Sequence, residues 1–285
     1  MTDAVAELLG WLDVERLEVD LFCGTGTGGE TSVRIFGGHV IAQALAAACK
    51  TVDARNCHSL HAYFVRPGDP RIPVIYNVDR SRDGRSFTTR RVVAIQHGRQ
   101  ILNLSASFHV EEEGWSHQHQ MPDVKPPEGL KSSADLRAEN AHKLDSDKRA
   151  AYLRLRPIEI REIDPQDHFE PSPKSDVNHI WFRMQGAKEA DSHMNQCLLA
   201  YASDMHLLGS SMRPHGLSWF KKGVMTASLD HSMWFHGPVD FEDWHLYTMD
   251  ALFSGGARGF NRGSIYSRDG MLIASVTQEA LIRPV

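Results

Sequence analysis

Residues 225–236 read MTASLDHSMWFH, and this stretch decides how the rest of the sequence is interpreted. Side chains of a β-strand alternate between its two faces. Alternation predicts a dense polar face, formed by Thr226, Ser228, Asp230 and Ser232. The opposite face is bulky and apolar, with Leu229, Met233 and Phe235. We interpret the stretch as a strand whose apolar face packs on a core. Its polar face either lines a site or lies in solvent, and the pattern leaves both open.

A similar stretch occurs once earlier in the chain. His58-Ser59-Leu60 resembles His231-Ser232-Met233. Further on, Tyr76-Asn77-Val78-Asp79 resembles Tyr247-Thr248-Met249-Asp250. The offset between the copies is about 172 residues in each case, and a constant offset indicates an internal duplication. The sequence therefore predicts two similar units in one chain.

Each unit combines one helix with several strands. In the first copy, an alanine-rich stretch that begins at Gly37-Gly38 predicts a helix. Strand-like stretches follow at residues 58–65, 73–80, 86–96 and 100–110. One helix followed by an antiparallel meander is an α+β arrangement, in which a sheet covers the helix. We expect two such units side by side, with their sheets continuous.

Changes in composition predict the boundaries of the units. Residues 1–110 are expected to form the N-terminal unit and residues 156–285 the C-terminal unit. Between them, residues 111–155 lose the strand pattern and become acidic, proline-containing and then helical, so we interpret them as a surface connector. The glycine-rich residues 24–29 lack the Lys-Ser/Thr ending of a phosphate-binding loop and are interpreted as a turn.

The overall composition is that of a globular protein without a nucleic-acid partner. The 285 residues are 41% hydrophobic and carry a formal net charge of −5, with no long basic segment. The four cysteines lack CxxC spacing, so we expect no metal site, no cofactor and no disulfide framework. No apolar stretch approaches the roughly 20 residues that span a bilayer, and no secretory signal is apparent. A cytoplasmic location is predicted.

Two polar residues of the second copy fall among apolar positions. Helical spacing over residues 194–208 places Asp204 beside Cys197 and Leu208, where it reaches either the core or solvent. On the last strand, Gln278 shares a row with apolar residues, namely Leu272, Ala274, Val276, Ala280 and Ile282. An unpaired buried amide costs about 1–3 kcal/mol, so Gln278 is expected to have a partner.

The first copy lacks these polar residues. Ala106 is the counterpart of Gln278, and Thr51 lies near the counterpart of Asp204. The asymmetry predicts a polar site in the second copy alone. There, Asp204 would act as a general base on a water molecule that Ser228 and Gln278 orient. A hydrogen-bond network with a purely structural role is the alternative.

Seven motifs resemble the acyl-CoA thioesterase II family, also called TesB-like. They are FGGHVIAQA at 36–44, HSLHAYFVRPGD at 58–69, YASD at 201–204, RPHG at 213–216, SLDHSMWFH at 228–236, ARGF at 257–260 and ASVTQE at 274–279. Together they follow the order of the family and span nearly the whole chain.

The resemblance implies a double hotdog fold and the hydrolysis of fatty acyl-CoA to free acid and CoA. It places the catalytic Asp of the family on Asp204 and its Gln on Gln278. The hydroxyl residue, which is Thr in many bacterial members, falls on Ser228. Direct attack by water, without an acyl-enzyme, is implied as well. So is a homo-oligomer, either a dimer or a tetramer of double hotdogs.

Two other functions are compatible with the residues. An enoyl-CoA hydratase on the same fold usually needs a His near the Asp of the helix. His206 is two residues from Asp204 and is expected to point to a different face. A non-catalytic acyl-CoA binding protein would hold the same ligand without turnover.

Overall fold

The computed structural model describes residues 3–25, 34–188 and 190–285. The predicted turn at residues 24–29 therefore lies largely outside the described residues. The elements of the first half are α1 (Asp3–Leu12), β1 (Glu15–Glu18), β2 (Leu21–Gly24), α2 (Gly37–Cys49), β3 (Asn56–Phe64), β4 (Val74–Asp83), β5 (Phe87–Gln96) and β6 (Arg99–His109). Two short helices follow, α3 (Ser133–Asn140) and α4 (Ser146–Leu153).

The second half repeats this pattern of strands around a central helix. Its elements are β7 (Glu159–Glu162), β8 (Asn178–Arg183), α5 (Ser192–Ser203), α6 (Leu207–Met212), β9 (Val224–Ser228), β10 (Asp230–Phe235), β11 (His245–Gly255), β12 (Arg258–Ser267) and β13 (Leu272–Pro284). In the ranges that the structure describes, none of the helices has the length and apolar composition needed to cross a membrane.

All strands in the described ranges belong to one antiparallel sheet. Its order is β1-β2-β4-β5-β6-β3-β10-β13-β12-β11-β8-β7, and β9 also pairs with β13. The two halves meet at β3 and β10, where Ser59 lies opposite Trp234 and Tyr63 lies opposite Asp230. The continuous sheet predicted from the duplication is confirmed. With α2 and α5 against it, this arrangement is a double hotdog.

Helix α2 is buried from Gly38 to Cys49, because the sheet, α5 and α1 pack around it. Its five alanines favour the helix and allow neighbouring backbones to approach closely. The larger side chains of Ile41 and Leu45 are fully buried. Burial of each contributes about 1.5–3 kcal/mol to folding.

The segment between the two halves packs on the second half. The indole nitrogen of Trp181 donates a 2.8 Å hydrogen bond to the carbonyl of Lys125. The side chain of Gln118 donates to the carbonyl of Gly270 and accepts from the backbone nitrogen of Leu272, at 2.7 and 3.0 Å. These contacts cover an apolar cluster on the outer side of the sheet, formed by Trp181, Trp244, Leu246 and Tyr266.

Residues 225–236 do not form one regular strand, and the prediction that Ser228 shares a face with Asp230 and Ser232 is wrong. On β13, Ala280 pairs with Ser228 and Thr277 pairs with Ser232. Four residues on one side therefore match three on the other, which is a β-bulge at the junction of β9 and β10. The extra residue reverses the faces that follow. Asp230 turns away from the face of Ser228, and His231 becomes fully buried.

The single helix predicted over residues 194–208 is also wrong. Helix α5 ends at Ser203, and His206 adopts a left-handed conformation with φ of 66° before α6 begins. A right-handed helix cannot continue through such a residue. Asp204 therefore projects from the end of α5 instead of lying along its flank.

Candidate active site

The carboxylate of Asp204 connects the two central helices. Its Oδ2 accepts a 2.7 Å hydrogen bond from the backbone nitrogen of Gly38, in the first turn of α2. Phe36, which precedes α2, provides no side-chain cap. Asp204 supplies one from the other helix, at the positive end of the α2 dipole. The residue is only 8% exposed, so this contact is shielded from water.

The glycine pair at the start of α2 is required by this close approach. A Cβ on Gly37 would lie 2.7 Å from Oδ2 of Asp204. A Cβ on Gly38 would lie 2.6 Å from the carbonyl oxygen of Tyr201 and equally close to the ring of Phe36. A Cβ at either position would force a neighbouring group to move, and at Gly38 that group is the backbone of Tyr201, so glycine lets α2 begin directly against the end of α5.

The amide of Gln278 is the second partner of Asp204. Gln278 is fully buried in the apolar row of β13, as predicted. Its Nε2 donates a 2.6 Å hydrogen bond to Oδ1 of Asp204, so the partner expected for this amide is present. On β12, Asn261 lies opposite Gln278, and its side-chain nitrogen donates to the backbone carbonyl of Gln278 at 3.3 Å. Asn261 also accepts from the nitrogen and hydroxyl of Ser211, which ties α6 to the sheet at this point.

His231 belongs to the same cluster, although no role was predicted for it from the sequence. Its Nδ1 lies 3.2 Å from Nε2 of Gln278 and 3.8 Å from Oδ1 of Asp204. Its Nε2 lies 2.9 Å from the hydroxyl of Ser203. Burial lowers the pKa of His231, and the nearby Asp204 opposes this only in part, so the ring is neutral. A histidine in the row of Met233 was the one sequence signal that could have revealed it.

Ser228 lies next to this cluster without joining it. It is the half-buried last residue of β9 and pairs with Ala280, so its side chain shares the sheet face of Gln278. Among the described residues, no hydrogen-bond partner of its hydroxyl is found. The structure thus brings Asp204 and Gln278 into direct contact. It places Ser228 on the neighbouring strand, opposite Ala280, on the same face as Gln278 and without a hydrogen bond to Asp204 or Gln278.

Comparison with known proteins gives the family. A family model described as "Acyl-CoA thioesterase" matches residues 157–281. A second, described as "Acyl-CoA thioesterase N-terminal domain", matches residues 28–109. The chain is similar to acyl-CoA thioesterase 2 of Haemophilus influenzae, with 38% identity over 285 residues and 99% of each chain covered. The chain belongs to the acyl-CoA thioesterase II (TesB-like) family.

Further comparisons agree with this assignment. Acyl-coenzyme A thioesterase 8 of Mus musculus is 40% identical over 284 residues, covering 95% of this chain and 87% of the mouse protein. The crystal structure of the acyl-CoA thioesterase II TesB2 from Mycobacterium marinum has a TM-score of 0.80 and 36% identity, with 98% of both chains covered. The protein is a thioester hydrolase, and the predicted double hotdog fold is confirmed. The hydratase and the non-catalytic binding protein gain no support.

The first half of this thioesterase has a salt-bridged arginine where the second half has its polar cluster. Arg90 is 1% exposed and lies opposite Ala106, the counterpart of Gln278. Its guanidinium donates to the hydroxyl and carbonyl of Thr51, at 2.8 and 3.0 Å, and pairs with Asp83 at 2.6 Å. Because Ala106 leaves room, the arginine fills the space and satisfies the surrounding acceptors. This geometry explains the asymmetry seen in the sequence.

Other polar groups of the thioesterase lie apart from Asp204. Within the described ranges, no group of three or more His, Cys, Asp or Glu side chains is arranged to hold a metal ion. A polar cleft beside α6 is lined by residues that include Glu162, His168, Asn178, His206, Met212 and Arg213. Neither Asp204, Ser228 nor Gln278 lines this cleft, so it is separate from the carboxylate–amide pair.

Proposed function

We propose that this thioesterase hydrolyses fatty acyl-CoA by direct attack of water. Asp204 acts as the general base, and Ser228 and Gln278 orient the water. The observation that carries the proposal is the 2.6 Å hydrogen bond from Gln278 to Asp204 in a buried setting. It leaves a carboxylate and an amide carbonyl side by side, both able to accept hydrogen bonds.

The free acceptors of Asp204 and Gln278 support a position for the water beside the pair. Oε1 of Gln278 is buried and has no hydrogen-bond partner among the described residues. Each carboxylate oxygen of Asp204 can accept more than the one hydrogen bond it already has. A water beside the pair can therefore donate one hydrogen to Asp204 and the other to Gln278. Both hydrogens are then held, and the lone pairs face the substrate.

Ser228 contributes the remaining contact. Diagonal neighbours on one face of an antiparallel pair lie about 7–8 Å apart, a gap that one water molecule can bridge. Ser228 and Gln278 are related in this way, since Ser228 pairs with Ala280. Its hydroxyl donates to one lone pair of the water. The second lone pair is left to attack the thioester carbon.

The proposed reaction proceeds without a covalent enzyme intermediate. The water oxygen bonds to the thioester carbonyl carbon while Asp204 accepts its proton. Collapse of the tetrahedral intermediate breaks the carbon–sulfur bond, and Asp204 returns the proton to the departing thiolate. The products are a free fatty acid and CoA.

Asp204→Asn tests the proposal, because it keeps the shape of the side chain but removes the base. Release of free thiol from palmitoyl-CoA is expected to fall at least about 100-fold. Asp230→Asn is a matched control, since Asp230 is half-buried nearby and accepts a 2.6 Å hydrogen bond from the nitrogen of Glu279. We expect that control to retain most of the activity. Full activity in Asp204→Asn would reject Asp204 as the base.

A single turnover in ¹⁸O-water separates direct attack from an acyl-enzyme. Direct attack on the substrate carbon places the label in the fatty acid during the first turnover. If Asp204 instead attacked the substrate, water could release the acid by attacking the carboxyl carbon of Asp204. The first label would then remain in the enzyme, and mass spectrometry of the intact protein would detect it.

We also propose that the thioesterase is a homo-oligomer, a dimer or a tetramer. Edge pairing is not the expected route, because the edge strands β1 and β7 are four residues each, ERLE and EIRE. Short charged edges resist pairing. An apolar contact is available at the end of β11, where Leu252 and Phe253 are 57% and 58% exposed. Light scattering tests this proposal, and a mass equal to one chain would contradict it.

A further inference from the structure

The two ring nitrogens of His231 have different partners, which fixes the position of the ring proton. Nε2 lies 2.9 Å from the hydroxyl oxygen of Ser203. That hydroxyl donates its only hydrogen to the carbonyl of Ala200, also at 2.9 Å. Ser203 can therefore only accept from His231, so the proton of the neutral ring is on Nε2. Nδ1 keeps a lone pair that points towards Gln278.

This lone pair determines which end of the Gln278 amide lies at the centre of the cluster. The amide atom that lies there is 2.6 Å from Oδ1 of Asp204 and 3.2 Å from Nδ1 of His231. Both of these neighbours are acceptors. An amide oxygen there would face two lone pairs, whereas an amide nitrogen donates one hydrogen to each. The nitrogen is thus required at this position, and Oε1 makes neither of these two contacts.

We propose that His231 is a positioning residue, which fixes the plane of the Gln278 amide so that Oε1 faces the attacking water. One hydrogen bond, to Asp204, holds only the position of the nitrogen. The second, to His231, fixes the plane of the amide and therefore the direction of Oε1. This inference rests on the proposed function, because it assigns a consequence to the orientation of Gln278.

The surroundings of His231 hold the ring itself in place. Tyr247 donates a 2.7 Å hydrogen bond to the carbonyl of Ser203, which anchors the end of α5 that bears the hydroxyl. His231 lies on the inward face of β10 with Met233 and Phe235 and is fully buried. The ring is therefore held through its backbone and, in addition, at its Nε2 end.

Two substitutions separate this role from simple packing. In His231→Asn, the amide oxygen takes the place of Nδ1, so an acceptor for Gln278 is kept while the contact to Ser203 is lost. In His231→Gln, the side chain reaches Ser203 but presents no acceptor at the position of Nδ1. The pair therefore isolates one hydrogen bond at similar size and polarity.

The expected result is a difference in kcat between the two variants. His231→Gln is expected to lower kcat by about 10- to 100-fold with KM nearly unchanged, since a water-orienting group acts on the chemical step. His231→Asn should stay within about threefold of the wild type. Urea unfolding of both variants controls for stability. Equal kcat values for the two variants would overturn the inference.

A double-mutant cycle tests whether His231 acts through Gln278. In a Gln278→Ala background, His231→Gln should have no further effect on kcat, because the amide that it orients is gone. Additive losses would overturn the positioning role but leave the proposed function intact. If Gln278→Ala alone retained wild-type activity, the proposed function and this inference would both be rejected.

The tautomer is a direct readout that does not depend on activity. The ¹⁵N shifts of the His231 ring in the wild-type protein should show a protonated Nε2 and an unprotonated Nδ1. Comparison with His231→Gln assigns the signals. A proton on Nδ1 would remove the acceptor for Gln278 and contradict the inference.

Discussion

Arg90 lies directly opposite Ala106 on neighbouring strands of the first half. At the same place in the second half, Asn261 lies opposite Gln278. A small residue in one copy thus makes room for a buried arginine, while a buried amide in the other copy contacts Asp204. In the first half, the buried polar groups around Arg90 are hydrogen-bonded to one another. In the second half, the polar cluster keeps an acceptor without a partner in the described ranges, Oε1 of Gln278.

Removing this arginine should destabilise the protein without affecting catalysis. Arg90→Met keeps the unbranched apolar part of the side chain but removes the donors to the hydroxyl and carbonyl of Thr51 and to two further carbonyls. We expect a loss of about 2–4 kcal/mol in the free energy of unfolding, measured with urea. Arg91→Met, on the exposed face of the same strand, is the control and should change stability little. Loss of catalysis in folded Arg90→Met would contradict the structural role.

A methyl group at Gly38 should disturb both the helix contact and the reaction. The Cβ in Gly38→Ala meets the carbonyl of Tyr201 and the ring of Phe36, so α2 must shift away from Asp204. We expect a stability loss of about 1–3 kcal/mol and a clear fall in kcat. Gly10→Ala in α1 is a suitable control, because a Cβ there meets nothing within 4 Å. Unchanged kcat in Gly38→Ala would show that the Gly38–Asp204 hydrogen bond is not needed.

The hydroxyl at position 228, and not the identity of the residue, should matter for the proposed water attack. Ser228→Ala removes the donor to the water, and kcat is expected to fall by about 10- to 100-fold. Ser228→Thr keeps the hydroxyl and restricts its rotamers, so kcat should be equal to or above that of the wild type. Initial rates across palmitoyl-CoA concentrations separate kcat from KM. A fully active Ser228→Ala would remove Ser228 from the proposed site.

The buried His245 should make stability fall in mild acid. Its ring lies 5.4 Å from that of Phe182 and 5.8 Å from that of Phe241. Burial lowers its pKa to about 4, although Asp243 and Asp240 act in the opposite direction. In the unfolded chain, the pKa of histidine is about 6.5. Below that pH the unfolded state therefore binds a proton that the folded state does not.

The stability contributed by the neutral His245 ring is therefore present above about pH 6.5 and is lost as the pH falls towards 4, by roughly 3 kcal/mol in total. His245→Phe fits between the neighbouring rings and cannot be protonated. Urea unfolding between pH 4 and 7 should show a shallower pH dependence in the variant. If the free energy of unfolding depended on pH equally in the wild type and in His245→Phe, protonation of His245 would be excluded as the cause.

Sequence reasoning was most successful where a pattern reflects burial alone. The duplication predicted two sheet-over-helix units, because equivalent residues recur at a constant offset. The apolar row around Gln278 correctly indicated a buried strand face, and the cost of an unpaired amide predicted a partner. The partner itself, Asp204, is 74 residues away and was only a candidate until the fold brought the two together.

The failures of prediction occurred where the backbone departs from a regular period. A bulge after Ser228 adds one residue, so Ser228 lies on the face of His231 and not, as alternation predicted, on the face of Asp230 and Ser232. The left-handed His206 ends a helix that spacing alone would continue. Neither irregularity leaves a periodic signal, because each involves a single residue whose conformation depends on neighbours that are distant in sequence.

The sequence by itself determined the repeated architecture, the buried helix after Gly37 and the family to which the motifs belong, since these depend on local periodicity and composition. Only the tertiary structure decided which polar groups meet. The contact of Gln278 with Asp204 and His231 arises because the end of one helix, a strand bulge and the last strand converge on one point. A hydrogen bond depends on distances of a few tenths of an ångström, and these are set by packing between segments that the sequence keeps apart.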